Sequence, residues 1–174
     1  MKITALFLLL MAVLPAGGSL YDFKIKSLDG KMVDFSSFKG KTLLIVNTAS
    51  ECGYTPQYAD LQKLHEQFGS KITILGFPAN NFGQQEPGSN EQIKEFCDKT
   101  YRISFPVMSK VSVKGDDIAP LFKWLTSEPN PDFTGEIKWN FEKFLLDENG
   151  KLIHRFKHRL EPMSEPIINA IENK

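Results

Sequence analysis

Two short β-rich runs, Leu43 to Val46 and Ile72 to Phe77, bracket a helical pattern, and this spacing limits the fold more than any other feature of the chain. Strands separated by a helix-length segment read as parallel partners of a βαβ unit, the core of a mixed sheet. Thr55 is placed to cap the helix and Pro56 to begin it, with Gln62, Leu64, His65 and Phe68 carrying it up to Gly69. On the N-terminal side, Tyr21 to Phe35 alternates around Asp29-Gly30, a two-residue hairpin signal. Beyond the βαβ unit, Ser89 caps a second helix through Cys97, and Asp116 or Asp117 starts a third through Leu125 with Pro120 in its early turns. Phe141 to Leu146 and Lys151 to Phe156 form a hairpin around Asp147-Glu148-Asn149-Gly150, and a last helix runs from about Ser164 to Ile171. The fold class is therefore α/β: a mixed central sheet flanked by helices, with an N-terminal β-hairpin.

Cys52 falls between the first strand of the unit and its helix. The helix N-terminus points its unpaired N–H groups and its dipole toward that position, which favours a thiolate over a thiol. A small buried hydrophobe is the competing reading, since free cysteines are commonly that, and the location alone leaves both open.

Two downstream segments carry further chemistry. They are Leu75-Gly76-Phe77-Pro78-Ala79-Asn80-Asn81-Phe82-Gly83-Gln84-Gln85-Glu86-Pro87-Gly88 and Ile137-Lys138-Trp139-Asn140-Phe141-Glu142-Lys143-Phe144-Leu145. With Asn47-Thr48-Ala49-Ser50-Glu51-Cys52-Gly53-Tyr54-Thr55-Pro56, they make the chain resemble the glutathione peroxidase family, in particular its cysteine-containing, loop-poor members, from about Tyr21 to the C-terminus. The resemblance implies a thioredoxin-like fold and a catalytic group of Cys52, Gln85, Trp139 and Asn140. It implies no cofactor and no metal, hydroperoxides as substrates, and a thioredoxin-like protein or glutathione as reductant. The short connection between Pro106 and Trp139 resembles that of monomeric members, so a monomer is expected.

The residue types suit that chemistry. A thiolate attacking an O–O bond needs donors that keep it ionised and that stabilise the departing oxygen; an indole N–H and two side-chain amides supply them without a histidine base. Two departures from the family pattern stand out. Ala79 replaces a Cys that some members place there, and Asn81 stands where many have Gln. Cys97 is then the remaining partner for Cys52, in a segment resembling the one that carries the resolving Cys of thioredoxin-dependent members. A peroxide sensor relaying its disulfide, or a non-enzymatic domain stapled by Cys52 and Cys97, are the alternatives.

Residues 1–18 read as an export signal: Lys2, an apolar run from Ile3 to Leu14, Pro15, then Ala16-Gly17-Gly18 before a cleavage point. The run is too short to span a bilayer comfortably, so a secreted or periplasmic domain over residues 19–174 is expected, without stable membrane insertion. In an oxidising compartment a structural disulfide is a real competitor, although a domain of this length has core enough to stand without a staple. Lys and Arg total 21 and Asp and Glu total 21, which gives no electrostatic case for nucleic acid. His154 and His158 lie in a strand-like stretch where a four-residue spacing makes no common ligand face, so no zinc site is read there. His65 reads as a helix-surface residue, Asp147 to Gly150 as a turn rather than a calcium loop, and Arg155-Lys157-His158-Arg159 as a solvated strand face. Cys52-Gly53-Tyr54-Thr55 lacks the second cysteine of a Cys-x-x-Cys exchanger.

Overall fold

The computed structural model describes residues 18–173. The expected export signal, apart from Gly18, lies outside the described residues. β3 (Thr42–Thr48) and β4 (Ile72–Pro78) pair in parallel from Thr42 opposite Ile72 to Thr48 opposite Pro78, with α1 (Gln57–Phe68) as the crossover. β5 (Lys143–Leu146) pairs antiparallel with the other edge of β3, and β6 (Leu152–Phe156) with β5, giving the order β4-β3-β5-β6. A separate hairpin, β1 (Lys24–Lys26) and β2 (Met32–Asp34), stands apart from this sheet. The remaining helices are α2 (Asn90–Phe96), α3 (Pro120–Ser127) and α4 (Glu165–Glu172).

All seven residues of β3 are buried, and its middle, Leu43 to Val46, is accordingly a continuous apolar run. Its pleat divides the core. Leu43 and Ile45 join Leu75, Phe77 and Phe144 with α3 and the N-terminal segment on one face; Leu44 and Val46 join Ile74 and Leu145 with α1, α2 and α4 on the other. Tyr58 of α1 anchors the second face, meeting the Phe141 ring edge-on at 5.5 Å.

Four boundaries depart from the expectations, each for a local reason. Thr55 does not cap α1: its hydroxyl donates to the Ala49 carbonyl (2.9 Å) and accepts from the Cys52 N–H (2.9 Å), so the helix begins past Pro56 with no side-chain cap. α3 begins at Pro120, whose missing N–H suits the first helical position, and Asp117 instead accepts from Ser112 Oγ. The first hairpin turns through three residues, because Gly30 (φ +75°) closes a turn onto the Ser27 carbonyl while Ser27 pairs with Lys31. β5 starts at Lys143 because Phe141 takes a left-handed backbone (φ +68°). α2 is capped as expected, by a reciprocal pair between Ser89 and Gln92, but the chain continues past it as a π-helical turn, Cys97–Tyr101, closed by left-handed Arg102 (φ +53°).

The basic stretch that begins on β6 and runs past it is not solvated throughout. Arg155 is buried, not solvated: Nε donates to Glu142 Oε1 (2.6 Å), Nη1 to the Gly135 carbonyl (2.7 Å), and Nη2 pairs with the same carboxylate. Its guanidinium lies between the Phe133 and Phe144 rings, 4.6 and 4.8 Å from their centroids. Strand alternation put it inward, while exposed Lys157 and Arg159 fit the solvated reading. Removing one partner of such a pair leaves an uncompensated buried charge. Arg155→Met is therefore expected to lower stability by about 3–5 kcal/mol, read as the shift of the urea midpoint; a shift below about 1 kcal/mol would show the pair is dispensable.

Candidate active site

The site is assembled where three loops meet the C-terminal end of β3. The first is the 49–56 segment. Cys52 is nearly buried, at 7% exposure, and its Sγ accepts from the Tyr54 N–H at 3.4 Å. The Thr55 hydroxyl holds the loop's shape through the two hydrogen bonds already described. The second loop follows β4. Gly83 (φ +61°) and Gln84 (φ +54°) turn the chain so that the Glu51 N–H donates to the Gln85 carbonyl at 3.0 Å. The positive φ at Gly83 is one that glycine adopts without strain. The third loop precedes β5. Asn140, fully buried, donates from Nδ2 to Gln85 Oε1 at 3.0 Å, and the Trp139 ring leans on Phe82 at 5.8 Å.

A single open groove is lined by Gly53 and Tyr54, Gln85, Lys138, Trp139, His158 and Arg159. The immediate neighbours of Cys52 thus share one surface with Gln85 and Trp139, with Asn140 fixed beneath. The amide orientations follow from this bonding. Because Gln85 Oε1 accepts from Asn140, the Gln85 NH₂ is left as a donor toward its surroundings. A thiol, an indole and a carboxamide donor around one groove can attack an electrophilic atom and supply hydrogen bonds to the group that departs.

Cys97 is not brought to that groove. It is 2% exposed at the end of α2 and lines a different depression with Leu28, Val33, Ile103 and Met108. Neither cysteine is in a disulfide. Burial pushes the Cys97 thiol up to about 11, so at neutral pH it is protonated. The Tyr58 hydroxyl lies near Cys97 and Thr48, with no well-aligned hydrogen bond to either.

Besides Arg155, whose burial is described above, three residues that hold the site were not singled out from the sequence. Asn47, buried at the end of β3, donates from Nδ2 to the Trp139 carbonyl (3.1 Å) and accepts at Oδ1 from the Glu142 N–H (2.9 Å), while its carbonyl accepts from the Phe141 N–H. Glu142 also accepts from the Lys138 N–H at Oε2, and Arg155 fixes its other oxygen. Lys143 is buried behind them. An Asn directly after an apolar strand was the available signal for Asn47. Asn81 turns away from the groove, bonding Ser112, Val113 and Lys114, so its difference from Gln acts on the 112–114 loop. His158 faces Tyr54 edge-on and His154 contacts Asp132; among the described residues no cluster of three metal-ligating side chains occurs.

Asn47→Leu keeps the volume but strands the Trp139 carbonyl and the Glu142 N–H. Each lost buried partner costs about 1–3 kcal/mol, so a loss of roughly 2–4 kcal/mol in urea denaturation is expected, with slower reaction of Cys52. Wild-type stability in this variant would remove Asn47 from the account.

Residues 20–126 match the family model described as glutathione peroxidase. The chain is 46% identical over 154 residues to the glutathione peroxidase-like peroxiredoxin gpx1 of Schizosaccharomyces pombe, covering 88% of this chain and 96% of that protein. It is 47% identical over 154 residues to the hydroperoxy fatty acid reductase gpx1 of Synechocystis, covering 84% and 91%. Among solved structures, apo Trgpx superposes with a TM-score of 0.68 at 39% identity, covering 89% of this chain and 96% of that one. A thioredoxin-family thiol:disulfide interchange protein from Chlorobium tepidum superposes with a TM-score of 0.62 at 20% identity, covering 87% and 90%, which identifies the fold as thioredoxin-like.

Proposed function

The chain belongs to the glutathione peroxidase family and is a thiol peroxidase, and from that premise we propose that Cys52 attacks the hydroperoxide and Cys97 resolves the product. One observation carries the reading: the flank of Cys52, Gln85 and Trp139 line one groove, with Asn140 bonded to Gln85. In the first step the Cys52 thiolate takes the terminal oxygen of ROOH; the O–O bond breaks, and the alkoxide leaves as ROH after gaining a proton. In the second, the Cys97 sulfur attacks the sulfenic acid, forming the disulfide and releasing water. An external dithiol then exchanges with the disulfide and restores both thiols.

In this reading Cys97, buried, protonated and lining a different depression from the Cys52 groove, leaves its place for the second step. A disulfide requires the two Cα atoms within about 7 Å, and Cys97 occupies a regular turn whose N–H donates to the carbonyls of Ile93 and Lys94. Unwinding of Phe96 to Tyr101 frees it, and the π-helical turn is the weak point. A thioredoxin-like protein is the reductant this two-cysteine cycle favours over glutathione. Long-chain hydroperoxides are included among the substrates, since the groove is open and its rim carries Lys138 and Arg159. Residues 1–18 would direct the monomer out of the cytoplasm.

Mass spectrometry after one equivalent of hydrogen peroxide tests the cycle. The reduced protein is expected to lose about 2 Da as an intramolecular disulfide forms, and Cys97→Ser to gain about 16 Da as the sulfenic acid. Cys97→Ser should also stop thioredoxin-driven turnover, and Cys52→Ser should abolish peroxide consumption altogether. Undiminished thioredoxin-dependent turnover in Cys97→Ser would show that Cys97 is not the resolving residue and that Cys52 works as a one-cysteine peroxidase.

Trp139→Phe keeps the ring and deletes the N–H. The rate of Cys52 oxidation is expected to fall at least about tenfold, or roughly 1.4 kcal/mol of barrier. An unchanged rate would reduce Trp139 to packing.

A further inference from the structure

Among the described residues Lys143 is the one buried lysine, and its surroundings are unlike those of an ordinary ion pair. Its Nζ donates to Gln57 Oε1 (2.7 Å), to the Phe141 carbonyl (2.8 Å) and to the Leu160 carbonyl (2.7 Å). An ammonium has three hydrogens, and here three acceptors take them. The Gln57 orientation is fixed independently, because its Nε2 donates to the His158 carbonyl at 2.7 Å, leaving Oε1 to face Lys143.

Each acceptor belongs to a segment of the groove. Phe141 follows Trp139 and Asn140 directly and holds the left-handed backbone that turns them toward Gln85. Gln57 opens α1, five residues after Cys52. Leu160 follows His158 and Arg159, which line the far side of the groove. No other side chain described at the site ties these three segments to a single atom.

We propose that Lys143 is a positioning residue for the thiol chemistry, its ammonium setting the spacing between the Cys52 loop, the Trp139–Asn140 turn and the 158–160 segment. Deprotonation leaves two hydrogens for three carbonyl-type acceptors and turns a lone pair toward one of them, so one of the three ties is lost. The charged groups that act on Lys143 are Glu161, next to Leu160, and Glu142, its neighbour in the chain, both favouring the ammonium, while His158 lies close enough to feel its charge. Glu142 is already held by Arg155 of β6, and α1 contributes the neutral Gln57. Burial outweighs the two carboxylates and lowers Lys143 to about 7, so the spacing is adjustable close to neutrality.

This inference deepens the peroxidase reading, and its test separates the two. The rate of Cys52 oxidation by hydrogen peroxide is followed against pH in the wild type and in Lys143→Met. The wild type is expected to show a falling limb above neutrality; Lys143→Met is expected to be at least about tenfold slower at pH 7 and to lack that limb. A Lys143→Met rate equal to wild type, or one that keeps the falling limb, overturns the proposal. If Lys143→Met fails to fold, the wild type decides by NMR without any peroxide. The Trp139 indole and Asn140 carboxamide signals are expected to shift with the midpoint of the ¹⁵N-labelled Lys143 amine. Signals that stay still through that titration overturn the proposal even where Cys52 chemistry is intact.

Discussion

Asn47 bonds β3 to the 139–142 turn, and the geometry of the groove is referenced to that junction. The strand is buried along its whole length and paired on both edges, so its C-terminal end is fixed in space. A flexible surface turn carrying Trp139 and Asn140 would give those donors no defined position. Tied to Asn47 by main-chain and side-chain hydrogen bonds, the turn inherits the rigidity of the sheet. Fixed donors are what stabilise developing charge without reorganising when it appears.

The left-handed Phe141 is the local strain this junction sustains, since a bulky residue at positive φ is held only where its surroundings over-determine it. Those surroundings are the Asn47 carbonyl on its N–H, the Lys143 ammonium on its carbonyl, and Tyr58 against its ring. Behind them the buried Glu142–Arg155 pair, its guanidinium set against two aromatic rings, fixes the next peptide along. The buried polar network therefore lies under the groove rather than in it.

Much of this was legible in the sequence. The runs at 43–46 and 72–77 gave the parallel pair because strand-length apolar segments around a helix have few other arrangements, and Ser89 marked its helix through a cap that needs only neighbouring residues. The long segments around Gln85 and Trp139 gave the convergence of those residues through family resemblance, which spacing alone does not supply. What escaped was long-range and polar. Asn47, Lys143 and Arg155 are residue types that usually face water, and only the partners 92, 17 and 13 positions away in the chain explain their burial. Thr55 was misassigned for a related reason: its hydroxyl had two uses open to it, and the one that shapes the Cys52 loop prevailed over the cap.

The account requires a rigid frame around Cys52 and a yielding one around Cys97. Cys97 is capped on one side by a short seven-residue helix and on the other by a π-helical turn, whereas Cys52 is tied into the sheet through Ala49 and Thr55. Hydrogen exchange read by mass spectrometry, on the reduced protein and after one equivalent of peroxide, measures that contrast directly. The amides of residues 96–101 are expected to lose protection on oxidation while those of β3 and the 139–142 turn keep theirs. A disulfide between Cys52 and Cys97 formed with the protection of residues 96–101 unchanged would contradict the account.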